Sequence, residues 1–153
     1  MSKLDELESI QEQCQELMGE AEELEEFKSD LVERRTLSDE TVEILELISE
    51  DGNPMEVLRT AVSSLPASAD ISVDTSEASR EEFLELGKSL VAKIPTIIAN
   101  YERLSRGLDT VEPRDDLDHS ANFLYMLDGD NNEPSEERID VLDAALFDLV
   151  DDG

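Results

Sequence analysis

The sequence predicts an all-α fold, an irregular multi-helix bundle. Three observations carry that prediction. Apolar residues recur at three-and-four spacing over long stretches, and capping residues and prolines punctuate those stretches. No run shows convincing strand alternation, Ile71-Ser72-Val73 being too short to count. At 153 residues the chain suits one domain with one core. Hydrophobic residues make up 39%, but aromatics only 4%, and there is no Trp. The core is therefore expected to be built of Leu, Ile, Val and Ala.

The first helix is expected from about Ser2 to Arg35. Leu4, Leu7, Ile10, Cys14 and Leu17 share one narrow face, and Leu24, Phe27 and Leu31 continue it past Gly19, which is expected to break or bend the helix. Residues 1–20 are thus an N-terminal amphipathic helix, suited to a partner or to folding back on the body. Ser38 is a candidate N-cap for a second helix carrying Val42, Leu45 and Ile48. Asp51-Gly52-Asn53 is a turn. Asn53-Pro54-Met55-Glu56 is a strong helix start, with a capping Asn, Pro at the first helical position and Glu at the third. Met55, Leu58, Val62 and Leu65 form that helix's expected stripe, and Pro66 ends it.

Residues 67–78 are small and polar and are expected to be a loop. A long helix then runs to Gly107, with Phe83, Leu86, Leu90, Ile94, Ile97, Tyr101 and Leu104 as its stripe. Pro95 is expected to kink it, because proline removes one backbone donor and crowds the preceding turn. The next helix is expected from roughly Asp116 to Leu127, closed by Gly129. Phe123, Leu124, Met126 and Leu127 make it apolar nearly all round, so it should be central. Ser135 caps the last helix, whose stripe is Ile139, Leu142, Leu146 and Leu149.

Charge narrows the function classes. There are 41 acidic residues against 12 basic ones, a formal net charge of −29. Such a surface repels nucleic acid and anionic lipid, since both need cationic contacts. It also repels itself, and molar salt, with a Debye length of about 3 Å, screens that repulsion. The bias predicts adaptation to a salt-rich cytoplasm. No stretch approaches a membrane span, and no charged-then-apolar leader opens the chain, so a cytoplasmic location is expected, with neither nucleic acid nor membrane as partner.

Motifs for chemistry are sparse. There is no glycine-rich phosphate loop, nucleophile motif or zinc-ligand cluster, so no metal and no cofactor is expected. Close carboxylate pairs arise by chance among so many acids. Asp128-Gly129-Asp130-Asn131-Asn132 has the composition of a calcium loop but places Ile139, not glutamate, at its twelfth position, and is expected to be a polar turn. Cys14 rules out an internal disulfide and is expected in a core or interface. His119, the single imidazole, is expected to be structural or exposed.

Several blocks carry a resemblance to a known family. AKIPTIIANYERLSRGLDTVEPRDDLDHSANFLYMLDG, from Ala92 to Gly129, resembles the kinked helix, proline-bearing loop and NFLYML helix of the citrate synthases. NPMEVLRTAVSSL resembles that family's Met-x-x-Leu-Arg-Thr segment, and ELEEFKSDLVERRTLSDETVEILELI its preceding helices. ERIDVLDAALFDLVDDG is similar to the helix ending in Leu-His-Ala-Asp-His-Gly. The resemblance covers residues 17–153 and implies a partial citrate synthase-like helical domain, part of that family's large domain.

The resemblance also implies what these residues do not supply. The family's two histidines in the last block, one of which helps hold oxaloacetate, correspond to Leu149 and Asp152. An aspartate facing a dianion would cost roughly 1–4 kcal/mol. The family's catalytic histidines, catalytic aspartate and substrate arginines lie beyond the last block, and its opening strand-and-turn lies before the first. No residue here corresponds to any of them, so no catalytic or substrate-binding residue is assigned. The family condenses oxaloacetate with acetyl-CoA, each proton transfer needing a positioned acid or base worth about 10²–10⁴-fold. Three readings follow: a truncated, inactive relative; a non-catalytic partner or regulator that binds a full-length citrate synthase or another chain; or one half of a split enzyme. The assembly implied is a homodimer or a heteromer with a full-length citrate synthase.

Overall fold

The computed structural model describes residues 2–68, 70, 71, 79–129 and 132–151, without the side chains of 147 and 149–151. Among the described residues there are six helices and no strand: α1 Lys3–Arg34, α2 Asp39–Ser49, α3 Pro54–Ser64, α4 Arg80–Ser105, α5 His119–Asp128 and α6 Glu136–Asp151. The contacts divide the chain into two compact units, Met1–Asp30 and Leu31–Gly153.

The first unit is a single helical stretch. Its apolar residues Leu4, Leu7, Ile10, Leu17, Met18 and Leu24 are all exposed. Cys14, expected in a core or interface, is exposed as well. Gly19 neither breaks nor ends α1, contrary to expectation. Glu, Met, Ala and Leu around it are good helix formers, and one glycine costs only about 1 kcal/mol against alanine.

The second unit is the helical body. Ser38 caps α2 by accepting from the Thr41 N–H, and Asn53 caps α3 by accepting from the Met55 N–H with Pro54 at the first position. Ser79 and Glu82 close a reciprocal capping box at the start of α4. α4 packs on α2, α3 and α5, and α5 packs on α6. One apolar core joins Leu37, Leu45, Val57, Ala61, Leu65 and Ile97, and a second joins Ala99, Val111, Tyr125 and Met126. Ile97 and Ala99 lie two residues apart on α4, so that helix serves both cores.

Two expectations are corrected in detail, the stripe of α3 and the start of α5. The buried stripe of α3 is Val57, Ala61 and Leu65, while Met55 is 62% exposed. Apolar pairs at 57–58 and 61–62 allow either phase, and the small Ala61 suits the closer approach. α4 runs as one long helix with Pro95 inside it, as its stripe led us to expect. Proline leaves the Val91 carbonyl without its helical donor, and Val91 is exposed, so water can serve it. α5 starts at His119, three residues after the expected Asp116, with Asp118 in extended conformation before it. The Arg114 and Leu117 carbonyls in this stretch are taken by Arg35, which competes with helix formation. Of Ile71-Ser72-Val73, too short to count as a strand, Ser72 and Val73 lie outside the described residues.

The α2–α3 turn depends on Gly52. A Cβ there would lie 2.3 Å from the Ile48 carbonyl oxygen and 2.4 Å from Cγ2 of buried Val57. The Gly52 carbonyl also accepts from the Tyr101 hydroxyl at 3.1 Å, tying the turn to α4. Gly52→Ala is expected to lower stability by about 1–3 kcal/mol, the usual range for overpacking, whereas Gly19→Ala, whose Cβ meets nothing, should not lower it. Urea unfolding followed by helical circular dichroism separates the two outcomes.

Candidate functional site

The polar groups inside the body converge on residues 34–41, which join α1 to α2. Lys93 sits on α4 at helical spacing from Leu90 and Ile97, so the stripe carries its ammonium inward. Lys93 Nζ donates to the Thr36 carbonyl at 2.5 Å and lies 3.8 Å from Asp70 Oδ1. Both side chains of this pair are 7% exposed. Asp70 accepts the Ser38 N–H and Ser38 Oγ at 2.9 Å each, and Thr41 Oγ1 at 2.5 Å. Its carboxylate therefore faces the N-terminus of α2, where helical N–H groups favour an anion. Burial lowers the Lys93 pKa, and Asp70 opposes that shift.

A second cluster lies around Arg35, which is 2% exposed. Arg35 Nη1 donates to the Arg114 carbonyl at 2.9 Å and the Leu117 carbonyl at 2.7 Å, while its buried Nε has no hydrogen-bond partner. The Arg35 carbonyl accepts from Thr96 Oγ1 at 2.9 Å. Asp118 and Asp115 offset part of the burial that lowers the Arg35 pKa. His119, half-buried at the first turn of α5, feels the same guanidinium. Burial first and Arg35 second hold its pKa below the ordinary value, against the pull of Asp143. Ser120 Oγ donates to Asp143 Oδ1, joining α5 to α6.

Two asparagines fix the loop between α4 and α5. Asn100 Oδ1 accepts the Val111 N–H at 2.9 Å, and Asn122 Oδ1 accepts the Arg114 N–H at 2.8 Å. Beside this loop lies a cavity of about 210 Å³ bordered by Thr36, Asp39, Thr96, Asn100, Thr110 and Glu112. Its charged lining residues are the carboxylates Asp39 and Glu112. Such a space disfavours an anionic ligand.

The residues singled out from sequence fall in different parts of the chain. Leu149 lies in the last turns of α6, and Asp152 lies outside the described residues. Cys14 belongs to the first unit and His119 to the second. Asp128 of the acidic turn pairs with Arg138, while Asp130 and Asn131 lie outside the described residues. Among the described residues no three His, Cys, Asp or Glu side chains are grouped to hold a metal ion. Sequence reasoning missed Arg35, Asp70 and Lys93. A cation within the α4 apolar stripe was a usable signal for Lys93; Asp70, in a small-residue stretch, offered none.

The helical arrangement is that of a known family. A family profile described as "Citrate synthase, C-terminal domain" matches residues 12–153. The citrate synthase of Haloferax volcanii is 42% identical over 134 residues, covering 86% of this chain and 35% of that protein. The citrate synthase of Deinococcus radiodurans is 41% identical over 137 residues, covering 87% of this chain and 34% of that protein. The crystal structure of citrate synthase from Pyrobaculum aerophilum superposes with a TM-score of 0.63 at 35% identity, over 75% of this chain and 30% of that one. The chain belongs to the citrate synthase family. It spans about a third of the length of these curated relatives. Among the described residues no helix is long and apolar enough to cross a membrane.

Two tests follow from these clusters. Asp70→Ala would leave Lys93 buried without its counter-ion and remove the acceptor that holds the capping Ser38 and Thr41 side chains, and is expected to cost about 3 kcal/mol, as for breaking buried pairs elsewhere; urea unfolding measures it. His119 favours its neutral form in the folded chain. Below its depressed pKa both folded and unfolded chains hold the proton and the destabilisation is complete; it is relieved as pH rises toward the ordinary value of 6.5. Stability should therefore rise over that window, and His119→Gln should flatten the rise in a pH series of thermal unfolding curves.

Proposed function

We propose that these 153 residues form the helical scaffold part of a citrate synthase-like large domain and carry no condensing chemistry by themselves. The proposal takes residues 1–20 as an N-terminal amphipathic helix and 17–153 as the citrate synthase-like part. The observation that carries it is the chemistry of the last block. By resemblance the family's two histidine positions there are Leu149 and Asp152, a hydrocarbon and a carboxylate. The sequence holds one histidine, His119, and Arg35 beside it makes a second proton on that ring unfavourable. A reaction that removes a methyl proton, stabilises an enol and polarises a ketone needs several positioned acids and bases. The buried cations Arg35 and Lys93 direct their donors to main-chain carbonyls, not to a cleft. The cavity near α2 presents Asp39 and Glu112, which suit neither oxaloacetate nor an acyl-CoA.

A second reading is that the body binds a full-length citrate synthase. Leu84, Val91 and Ile98 favour it: they recur every seven residues along α4 and are exposed. We further read the acidic bias as adaptation to a salt-rich cytoplasm, so activity is best assayed in molar salt.

With oxaloacetate and acetyl-CoA at molar salt, the purified 153-residue chain is expected to release free CoA no faster than buffer. Turnover well above that background would overturn the scaffold reading. Recovery of a full-length synthase with the tagged chain from native cells would favour the second reading.

A further inference from the structure

The first unit presents an apolar seam of a particular period. Leu7, Ile10, Cys14, Leu17, Ala21 and Leu24 alternate three and four residues apart, the 3.5-residue repeat of a coiled coil. A helix lying on a globular surface shows a broader face with a period of 3.6. All six side chains are exposed. We propose that this seam pairs with the same seam of a second copy of the chain, in antiparallel orientation.

The seam's layers are self-complementary in size, which fits a second copy, and the flanking charges select the direction. In the antiparallel register with Leu7 opposite Leu24 of the second copy, Ile10 faces Ala21 and Cys14 faces Leu17. Every layer is apolar, and each small residue meets a large one, the arrangement that fills a core without voids. The flanking pairs are Glu6 with Phe27, Gln13 with Glu20, Leu4 with Glu25, and Gln11 with Met18. None of them sets like charges together. Parallel pairing instead places Glu20 against Glu25 of the second copy twice and lays Ala21 on Ala21. In either direction lysines meet at the seam's ends, Lys3 facing Lys28 in the antiparallel register, where Lys28 lies 3.8 Å from Glu25 of its own helix. Residues 1–30 hold eleven carboxylates against two lysines, so the pairing strengthens as salt screens them.

Disulfide trapping tests both partner and direction, and reads the first unit independently of any synthase function. In a Cys14→Ser background of the whole chain, Leu7→Cys and Leu24→Cys are made singly. Each is oxidised mildly in about 1 M salt, alone and as an equimolar mixture. In the proposed pair, each engineered thiol lies about 26 Å along the axis from its own copy, beyond the reach of a disulfide. Only the mixture should therefore give a disulfide dimer, at least tenfold above either single variant. Bridging by the single variants would overturn the antiparallel direction. No bridging in any arm, with helical circular dichroism unchanged, would overturn the pairing itself and leave the seam to a different occupant.

Discussion

Lys93 and Arg35 place two cations inside a small helical body, and both direct their donors to main-chain oxygens. Lys93 holds the Thr36 carbonyl, and Arg35 holds those of Arg114 and Leu117. The strap from Arg35 to Ser38 is thereby fixed to α4 on one side and to the loop before α5 on the other. A buried ammonium or guanidinium without such partners would not be tolerated. Asp70 completes the arrangement, because one carboxylate both neutralises Lys93 and holds Ser38, the cap of α2. The two apolar cores meet on α4, and these polar ties set how the neighbouring segments approach it.

The same ties bear on function. Charges already engaged by the chain's own backbone are not available to grip a dianionic substrate. The cavity beside them is lined by carboxylates at Asp39 and Glu112. The family relationship thus rests on helical framework, in the order and spacing of its blocks, and not on a proton-transfer constellation. That division is common: scaffolds persist through packing, while chemistry resides in a few side chains placed upon them.

Much of the fold was legible because helix ends are local events. Ser38 and Asn53, read as caps from the sequence, cap helices through bonds to N–H groups two or three residues on, and Ser79, which the sequence reading passed over, does the same for α4. Gly107, with positive φ, follows the end of α4. The phase of an apolar stripe is less local. Leu58 and Val62 were as good as Val57 and Ala61 on period alone, and the close approach at Gly52 and α4 favoured the smaller pair. The start of α5 was misjudged for a related reason, since Arg35, about eighty residues earlier, claims the Leu117 carbonyl that a longer helix would have used. Leu149 and Asp152 were identified by family correspondence, and no contact within the described residues bears on them.

The sequence by itself determined the all-α class, the helix caps, the acidic surface and the family, because period, capping and block order are properties of neighbours along the chain. Only the tertiary structure decided which cations are buried, where Asp70 and His119 find their partners, and which face of α3 is covered. Those outcomes depend on segments distant in sequence competing for the same donors, acceptors and space, and no local pattern encodes the winner of that competition.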